Sequence, residues 1–562
     1  MGRIKLSIFV IFVLALVQFG SAIDYTHVVT NSENWIDVYS GLHYATLEGV
    51  SSDFLTSSNH GSILLDSISK EKSILVLTSR DEPYVFNYPD LIISEGFKGA
   101  DEIISKNLNL ELIDELLDIQ NFVIVDDSYG YNAIAVAPYA VQTNSWVFFA
   151  DRVNIDDVDA ILSRRNVKNV LIYGYIDREV VDTLNKYNPT IIYNQDKFED
   201  NIEIVEKYME LNPRKQALLT NGEFIEKEIM GGTQPILFTG RENVPDKIRD
   251  YLKTSDIQIG VLIGNELMGA ATNIRRSTGI SVMVKFARGA RVQTEGVSAV
   301  EGLDLFPLPS PSLEIEVYAV EYNKLTQQLE VTYKSTSNVP VYLKGTITLL
   351  DGNSQVKVGD TEVVFISPGS YKTATYPLEV GSYDDLKANI FAIYGESKSS
   401  LDHTLNEDWD VKTIDVIDNC EIEVKDVKYN KQKQEFQIVV KNTAGVDCWV
   451  DASIEELQVG YEEKTIATDR AYKIESGKTK DVLISEQMLE SDFNKNNFLN
   501  VVLHYGEKET SLVKVLKGRF ELSIVSLSTV TYVLVVLVMA IFAFFFLFLW
   551  RRKKENDDGF NF

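Results

Sequence analysis

The residues able to do chemistry in this chain are few and scattered. Its five histidines are His27, His43, His60, His403 and His504. None stands in a His-Glu-x-x-His spacing and none neighbours a Gly-x-Ser-x-Gly turn, so neither zinc-assisted nor triad-type hydrolysis has its residues in sequence. His43 lies in a helix-like stretch and reads as packing, and Asn59-His60-Gly61 reads as a turn. Asp126-Asp127-Ser128 follows an apolar strand, the end at which α/β folds place ligands. Asp126 and Asp127 therefore read either as a polar or cation site or as a helix cap with a solvated turn. Asn221-Gly222-Glu223 and Gly264-Asn265-Glu266 occupy comparable strand ends. No Gly-x-Gly-x-x-Gly or phosphate-loop lysine accompanies them, which argues against a nucleotide site. Arg275, Arg276, Lys285, Arg288 and Arg291 form a cationic run in an acidic chain. They could receive an anionic glycan or an acidic neighbour through forked guanidinium contacts, or serve as one side of internal salt bridges. The two cysteines, Cys420 and Cys448, are a candidate disulfide. The metal question stays open: scattered carboxylates could hold Ca2+ at domain junctions, although no Asp-x-Asp-x-Asp-Gly loop is present. No other cofactor is expected.

The elements that must position these residues fall into two halves, divided by a proline-rich stretch at 305–312 that reads as a linker. Before it, short apolar strands alternate with helix-length amphipathic segments; after it, alternating strands dominate. That contrast predicts an α/β half and an all-β half. The β half is duplicated. Leu313-Glu-Ile-Glu-Val-Tyr-Ala-Val-Glu-Tyr-Asn-Lys324 matches Cys420-Glu-Ile-Glu-Val-Lys-Asp-Val-Lys-Tyr-Asn-Lys431. The match continues through Gln327/Gln434, Val331/Ile438 and Thr336/Thr443, which predicts two copies of one sandwich at 313–412 and 413–517. Cys420 and Cys448 fall where the first copy has Leu313 and Val341, so a bridge would be an addition to the second copy.

The α/β half repeats more faintly. Trp146-Val-Phe-Phe-Ala-Asp-Arg-Val-Asn154 resembles Pro235-Ile-Leu-Phe-Thr-Gly-Arg-Glu-Asn243, and Val170-Leu-Ile-Tyr-Gly174 resembles Gly260-Val-Leu-Ile-Gly264. A more degenerate unit precedes them. The expectation is an α/β repeat head of three Rossmann-like units, 23–115, 116–205 and 206–304, each of about 90 residues, with parallel strands joined by helical crossovers.

This pattern resembles the type 2 cell-wall-binding repeat family over roughly residues 33 to 300. The counterparts of its motifs are Tyr131 to Ala140, Trp146 to Ala150, Val167-Lys-Asn-Val-Leu-Ile-Tyr-Gly174 and Asp196-Lys-Phe198, the last standing where the family has Asp-Arg-Tyr. Pro235-Ile-Leu-Phe-Thr239 matches in the third unit. The chain departs where the family has Gly-Gly, with Gly174-Tyr175 and Gly264-Asn265. The resemblance implies three repeats in a pseudo-threefold set and a place on the cell surface, against anionic wall polymers.

Targeting signals agree with that location. Arg3 and Lys5 precede an apolar stretch with small residues at Gly20-Ser21-Ala22, which reads as a signal peptide over 1–22. Val530 to Trp550 is uncharged and apolar and is followed by Arg551-Arg552-Lys553-Lys554. A helix of that length covers about 30 Å, one bilayer core, with the basic cluster inside. A single transmembrane helix at 530–550 is expected, after a juxtamembrane segment at 518–529 and before a cytoplasmic tail at 551–562. The formal charge of −28 disfavours nucleic acid as a partner. The chain thus reads as a non-enzymatic, plasma-membrane-anchored protein of the cell surface, compatible with an archaeal envelope. It would be a surface-layer component that self-assembles or a protein that binds an envelope glycopolymer. The alternatives are an anchored ectoenzyme hydrolysing envelope polysaccharide or peptide, with its site near Asp126, Asp127 and Glu223, and an extracellular ligand-binding receptor.

Overall fold

A computed structural model describes residues 25–264, 267–285, 305–351, 354–380, 385–525 and 537–547. The expected signal peptide, the cytoplasmic tail, Asn265, Glu266, Arg288 and Arg291 lie outside the described residues. The chain forms two compact units. One comprises residues up to Leu313 together with Tyr342–Lys344 and Ala392–Leu405; the other comprises Glu314–Val341, Gly345–Phe391 and residues from Asn406 onward.

In the first unit, apolar runs make inner strands that are covered on both faces, as parallel sheets require, while the edge strands at 99–105, 190–192 and 281–285 stay partly exposed. The strands are β1 (His27–Asn31), β2 (Ser51–Phe54), β3 (Ser73–Ser79), β4 (Gly99–Ser105), β5 (Asn121–Val125), β6 (Ser145–Phe149), β7 (Asn169–Tyr173), β8 (Thr190–Ile192), β9 (Gln216–Thr220), β10 (Phe224–Ile225), β11 (Ile236–Phe238), β12 (Ile259–Ile263) and β13 (Ser281–Lys285). Twelve of them make three parallel four-stranded sheets of one topology: β2-β1-β3-β4, β6-β5-β7-β8 and β11-β9-β12-β13.

The helices between the first two strands of each sheet are Trp35–Leu47, Tyr131–Gln142 and Lys227–Met230, and they meet pairwise. One side-chain hydrogen bond joins each pair. Tyr39 Oη donates to Ala133 O (3.0 Å), Gln142 Nε2 to Gly232 O (3.0 Å), and Thr46 Oγ1 to Met230 O (3.3 Å). Val38, Tyr39, Leu42, Ala133, Ala137, Ile229 and Met230 are all buried at this centre. Each large apolar side chain there contributes roughly 1.5–3 kcal/mol. Gly41 lets the first helix lie close on β1, because a Cβ there would stand 2.1 Å from Thr30 Oγ1.

The proline-punctuated stretch, expected as a linker, is built into this unit instead. Phe306–Pro307 pairs antiparallel with β10, Gly130 N donates to Pro309 O (3.1 Å), and Phe306 and Leu308 are buried. Its apolar residues override its prolines. His60, expected in a turn, is fully buried and opens the helix His60–Ser67.

The second unit is all β and contains one topology twice. Strand Ile315–Asn323 pairs antiparallel with Gln328–Ser335 and parallel with Lys412–Ile414; Ile422–Asn430 pairs likewise with Glu435–Asn442 and Ser523–Val525. The copies share a bulge at Val317/Ala319 and Val424/Asp426, and left-handed turn residues at Gln327 (φ 51°) and Gln434 (φ 53°). Tyr322 Oη donates to Leu378 O, and Tyr429 Oη to Glu486 O, both at 2.9 Å. Cys420 and Cys448 are joined by a disulfide, with Cα atoms 5.5 Å apart. Strands Lys514–Glu521 and Ser523–Val525 show that residues 518–525, expected to be juxtamembrane, complete the second copy.

Among the described residues no helix is long and apolar enough to cross a membrane. Of the expected span 530–550, residues 537–547 are described. They are helical, and their large apolar side chains are exposed, from Val538 at 43% to Phe544 at 78%.

Candidate functional site

The order β6-β5-β7-β8 places the topological switch between β5 and β7, so the crevice beyond their carboxyl ends is where a ligand would enter. Asp126 and Asp127 stand there, with Asp151 after β6 and Asp177 after β7. Burial raises the pKa of Asp126 despite its bonds with Ser128, and the charges of Asp177 and Asp151 push the same way. Asp127 is also raised, first by burial and then by Asp151 and Asp126. Most of these carboxylates have backbone duties. Asp126 Oδ1 accepts from Ser128 N (2.8 Å), Asp151 Oδ1 from Val153 N (2.9 Å) and Asn154 N (2.8 Å), and Asp177 Oδ2 from Arg152 N (3.0 Å). Such turn and cap bonds orient the loops. Among the described residues no group of three or more His, Cys, Asp or Glu side chains converges on a metal position, so the calcium expectation gains no ligand set. At the matching end of β9, Glu223 pairs with Arg241 (2.7 Å).

Of the cationic run, Arg275, Arg276 and Lys285 are described. Lys285 ends β13 and pairs with Glu226 (2.7 Å) and Glu228 (2.9 Å). Burial lowers its pKa, but the bonds and charges of these two carboxylates prevail and hold it above the ordinary lysine value. Lys285 thus takes part in the internal salt bridges that the sequence left as one of two readings, and buried Glu226 gains its counter-charge there. Arg275 and Arg276 are exposed in the last turn of the helix Met268–Thr278, where cations suit the helix dipole.

Among the described residues of this unit, an extended polar cluster forms around Asp196-Lys197-Phe198. Asp196 caps the helix Lys197–Leu211 by accepting from Phe198 N and Glu199 N, both at 2.9 Å. Its other oxygen accepts from Ser397 Oγ (3.2 Å), Ser399 Oγ (2.5 Å) and Ser400 Oγ (2.8 Å). Lys197 Nζ pairs with Asp402 (2.9 Å) and Glu396 (3.3 Å). Burial alone would raise the pKa of Asp402, yet Lys197 and His403 bring it down to about 2. Asn243 Nδ2 donates to Leu401 O (2.5 Å), and Gly240 lacks the Cβ that would strike Asp402 O. Asp196 and Lys197 thus fasten residues 396–402 within this unit.

Two buried asparagines escaped the sequence reading. Asn109 Nδ2 donates to Val147 O (2.8 Å) and its Oδ1 accepts from Phe149 N (3.3 Å). Asn201 does the same for Ile236 O (2.9 Å) and Phe238 N (2.8 Å). Each satisfies the outer edge of the edge strand of a following sheet, β6 or β11, and so links neighbouring repeats. For Asn109 the available signal was an asparagine set between two leucines at the start of a helix; Asn201 stands among acidic residues and carried none. Asp53, on β2, accepts from Lys227 and lies 3.1 Å from His27 Nε2, which ties the first repeat to the third.

No protein family and no curated protein matches this chain by sequence. Among solved structures, Cwp8 from Clostridium difficile is similar at 14% identity and a TM-score of 0.37, covering 46% of this chain and 48% of that one. Cwp6 from Clostridium difficile is similar at 14% identity and a TM-score of 0.37, covering 46% and 44%. The class 5 fimbriae chaperone CfaA is similar at 12% identity and a TM-score of 0.14, covering 37% of this chain and 99% of that one. This chain spans about half or less of the length of the two Clostridium difficile proteins. Likenesses at these scores carry no argument about activity or ligand.

Proposed function

We propose that this chain is a non-enzymatic protein of the cell envelope, held in the plasma membrane by one helix and acting as a structural or adhesive surface component. The observation that carries the reading is the helical segment 537–547, whose leucines, phenylalanines, isoleucine and methionine are exposed. It sits inside the uncharged run Val530 to Trp550, ahead of Arg551-Arg552-Lys553-Lys554. An apolar helix with no polar face is stable in lipid or in a protein core, and the flanking basic cluster favours lipid with that end in the cytosol. The repeated α/β sheets and duplicated β modules would then face outward and offer surfaces to neighbouring copies or to an envelope glycopolymer, with exposed Arg275 and Arg276 as first contacts.

Fractionation tests this. The full chain should stay in the membrane pellet after carbonate extraction, protease added to intact cells should digest it, and deletion of residues 530–550 should release it. Carbonate extraction of the full chain, or full protease resistance in intact cells whose surface proteins are digested, would overturn the reading.

A further inference from the structure

The second unit holds a cavity of about 220 Å³ between its two β copies. Strand Tyr371–Pro377 of the first copy contributes Lys372, and strands Phe498–Gly506 and Lys514–Glu521 of the second contribute His504 and Lys517. Lys372 is 6% exposed. No hydrogen bond or ion pair reaches its Nζ among the described residues. A buried ammonium without a partner is costly, and burial draws this lysine down to about 8 against the raising influence of Asp451 and Glu455, with Lys517 lowering it further.

The nearby carboxylates are otherwise engaged or too far away. Asp360 accepts from Gly345 N (2.6 Å) and Tyr376 Oη (2.8 Å), Glu362 pairs with Lys517 (3.4 Å), and Asp451 accepts from Thr468 Oγ1. Glu455 lines the cavity without coming within ion-pair distance of Lys372. His504 Nδ1 is buried with no hydrogen-bond partner, and burial together with Lys372 and Lys517 holds the imidazole neutral. The duplication provides an internal comparison. Lys372 is paired with Tyr333 in the sheet register, and in the second copy Val440 is paired with Lys480 at the corresponding place. Lys480 is exposed and donates to Lys473 O (3.0 Å). The same lysine position is solvated in one copy and enclosed in the other.

We infer that the cavity between the β copies binds a compact oxyanion, a phosphate or a carboxylate, with Lys372 as its counter-charge. The volume suits a small anion and not a polymer. Anion binding requires the protonated amine, so affinity falls as pH rises past 8. The other charges that line the cavity, Lys517, Glu455, Glu362 and Asp360, and Asp451 nearby, modulate that fall without removing it.

The test is calorimetric titration of the detergent-solubilised full chain with sodium phosphate and, separately, sodium acetate. Saturable binding of at least one is expected at pH 7, weakened at least tenfold at pH 9.5. Lys372→Met should weaken it at least tenfold, and Lys480→Met should leave it unchanged. The ratio of the two affinities then assigns the ligand to the phosphate or the carboxylate class. Absence of saturable binding by either anion to the wild type, equal affinity at the two pH values, or full affinity in the Lys372→Met chain would each overturn the proposal. The pH comparison uses only the wild-type protein and stands even if the variant fails to fold.

Discussion

Asn109 and Asn201 show how much one buried amide can settle. Each makes a paired backbone contact that a neighbouring strand cannot obtain elsewhere, so truncation strands a buried N–H and a buried C=O together. Leaving a buried polar group unsatisfied costs about 1–3 kcal/mol, so Asn109→Ala or Asn201→Ala should lower stability by roughly 2–4 kcal/mol in a denaturant titration. Substitution at exposed Asn273 should change little, and equal effects would remove the linking role. Asp402 makes a pH-dependent contribution. Its folded pKa lies below the unfolded value, so the stabilisation is fully present above about pH 4 and is lost as pH falls towards 2. Acid unfolding of the wild type should therefore steepen across that window. Asp402→Asn should flatten it, and an unaltered acid limb in that variant would show the pair to be inert.

At the scale of elements, the two β copies differ where the sequence adds cysteines. The disulfide ties the residue ahead of strand Ile422–Asn430 to the start of strand Cys448–Val459, across a sequence separation of 28. Closing a loop of that order removes unfolded-chain entropy worth about 3 kcal/mol. The corresponding Val341 of the first copy is buried by packing alone. Replacing both cysteines by serine should therefore destabilise the second copy by about 2–4 kcal/mol and leave the first untouched, as hydrogen exchange resolved by strand can measure. Equal loss of protection in both copies would contradict this assignment. The duplicated bulge and the paired left-handed glutamines follow from the sequence match, since both depend on local spacing. That residues 518–525 complete a sheet was hidden, because a short strand's pairing partner is set by a segment far away in sequence.

For the whole molecule, the decisive property is where its apolar surface goes. The exposed helical segment 537–547 needs a covering medium, and the fractionation outcome proposed above depends on that need and not on any single contact. The formal charge of −28 acts at the same scale. Self-repulsion makes contacts between copies sensitive to salt and cations. Against that field the exposed pair Arg275 and Arg276 offers a local attraction for an acidic neighbour.

Periodicity and internal repetition established the α/β half, the all-β half and the duplication from sequence alone, because hydrophobic spacing and turn chemistry are local. Composition likewise marked the apolar run at 530–550. Tertiary structure alone decided which charges meet. Lys285 turned inward to Glu226 and Glu228, Asp196 and Lys197 fastened residues roughly 200 positions away, and the stretch 305–312 packed where a linker was expected. Only the folded chain could place Lys372 against His504. Electrostatic and hydrogen-bond partners are chosen by distance in space, and over such sequence separations the chain pattern carries almost no record of that distance.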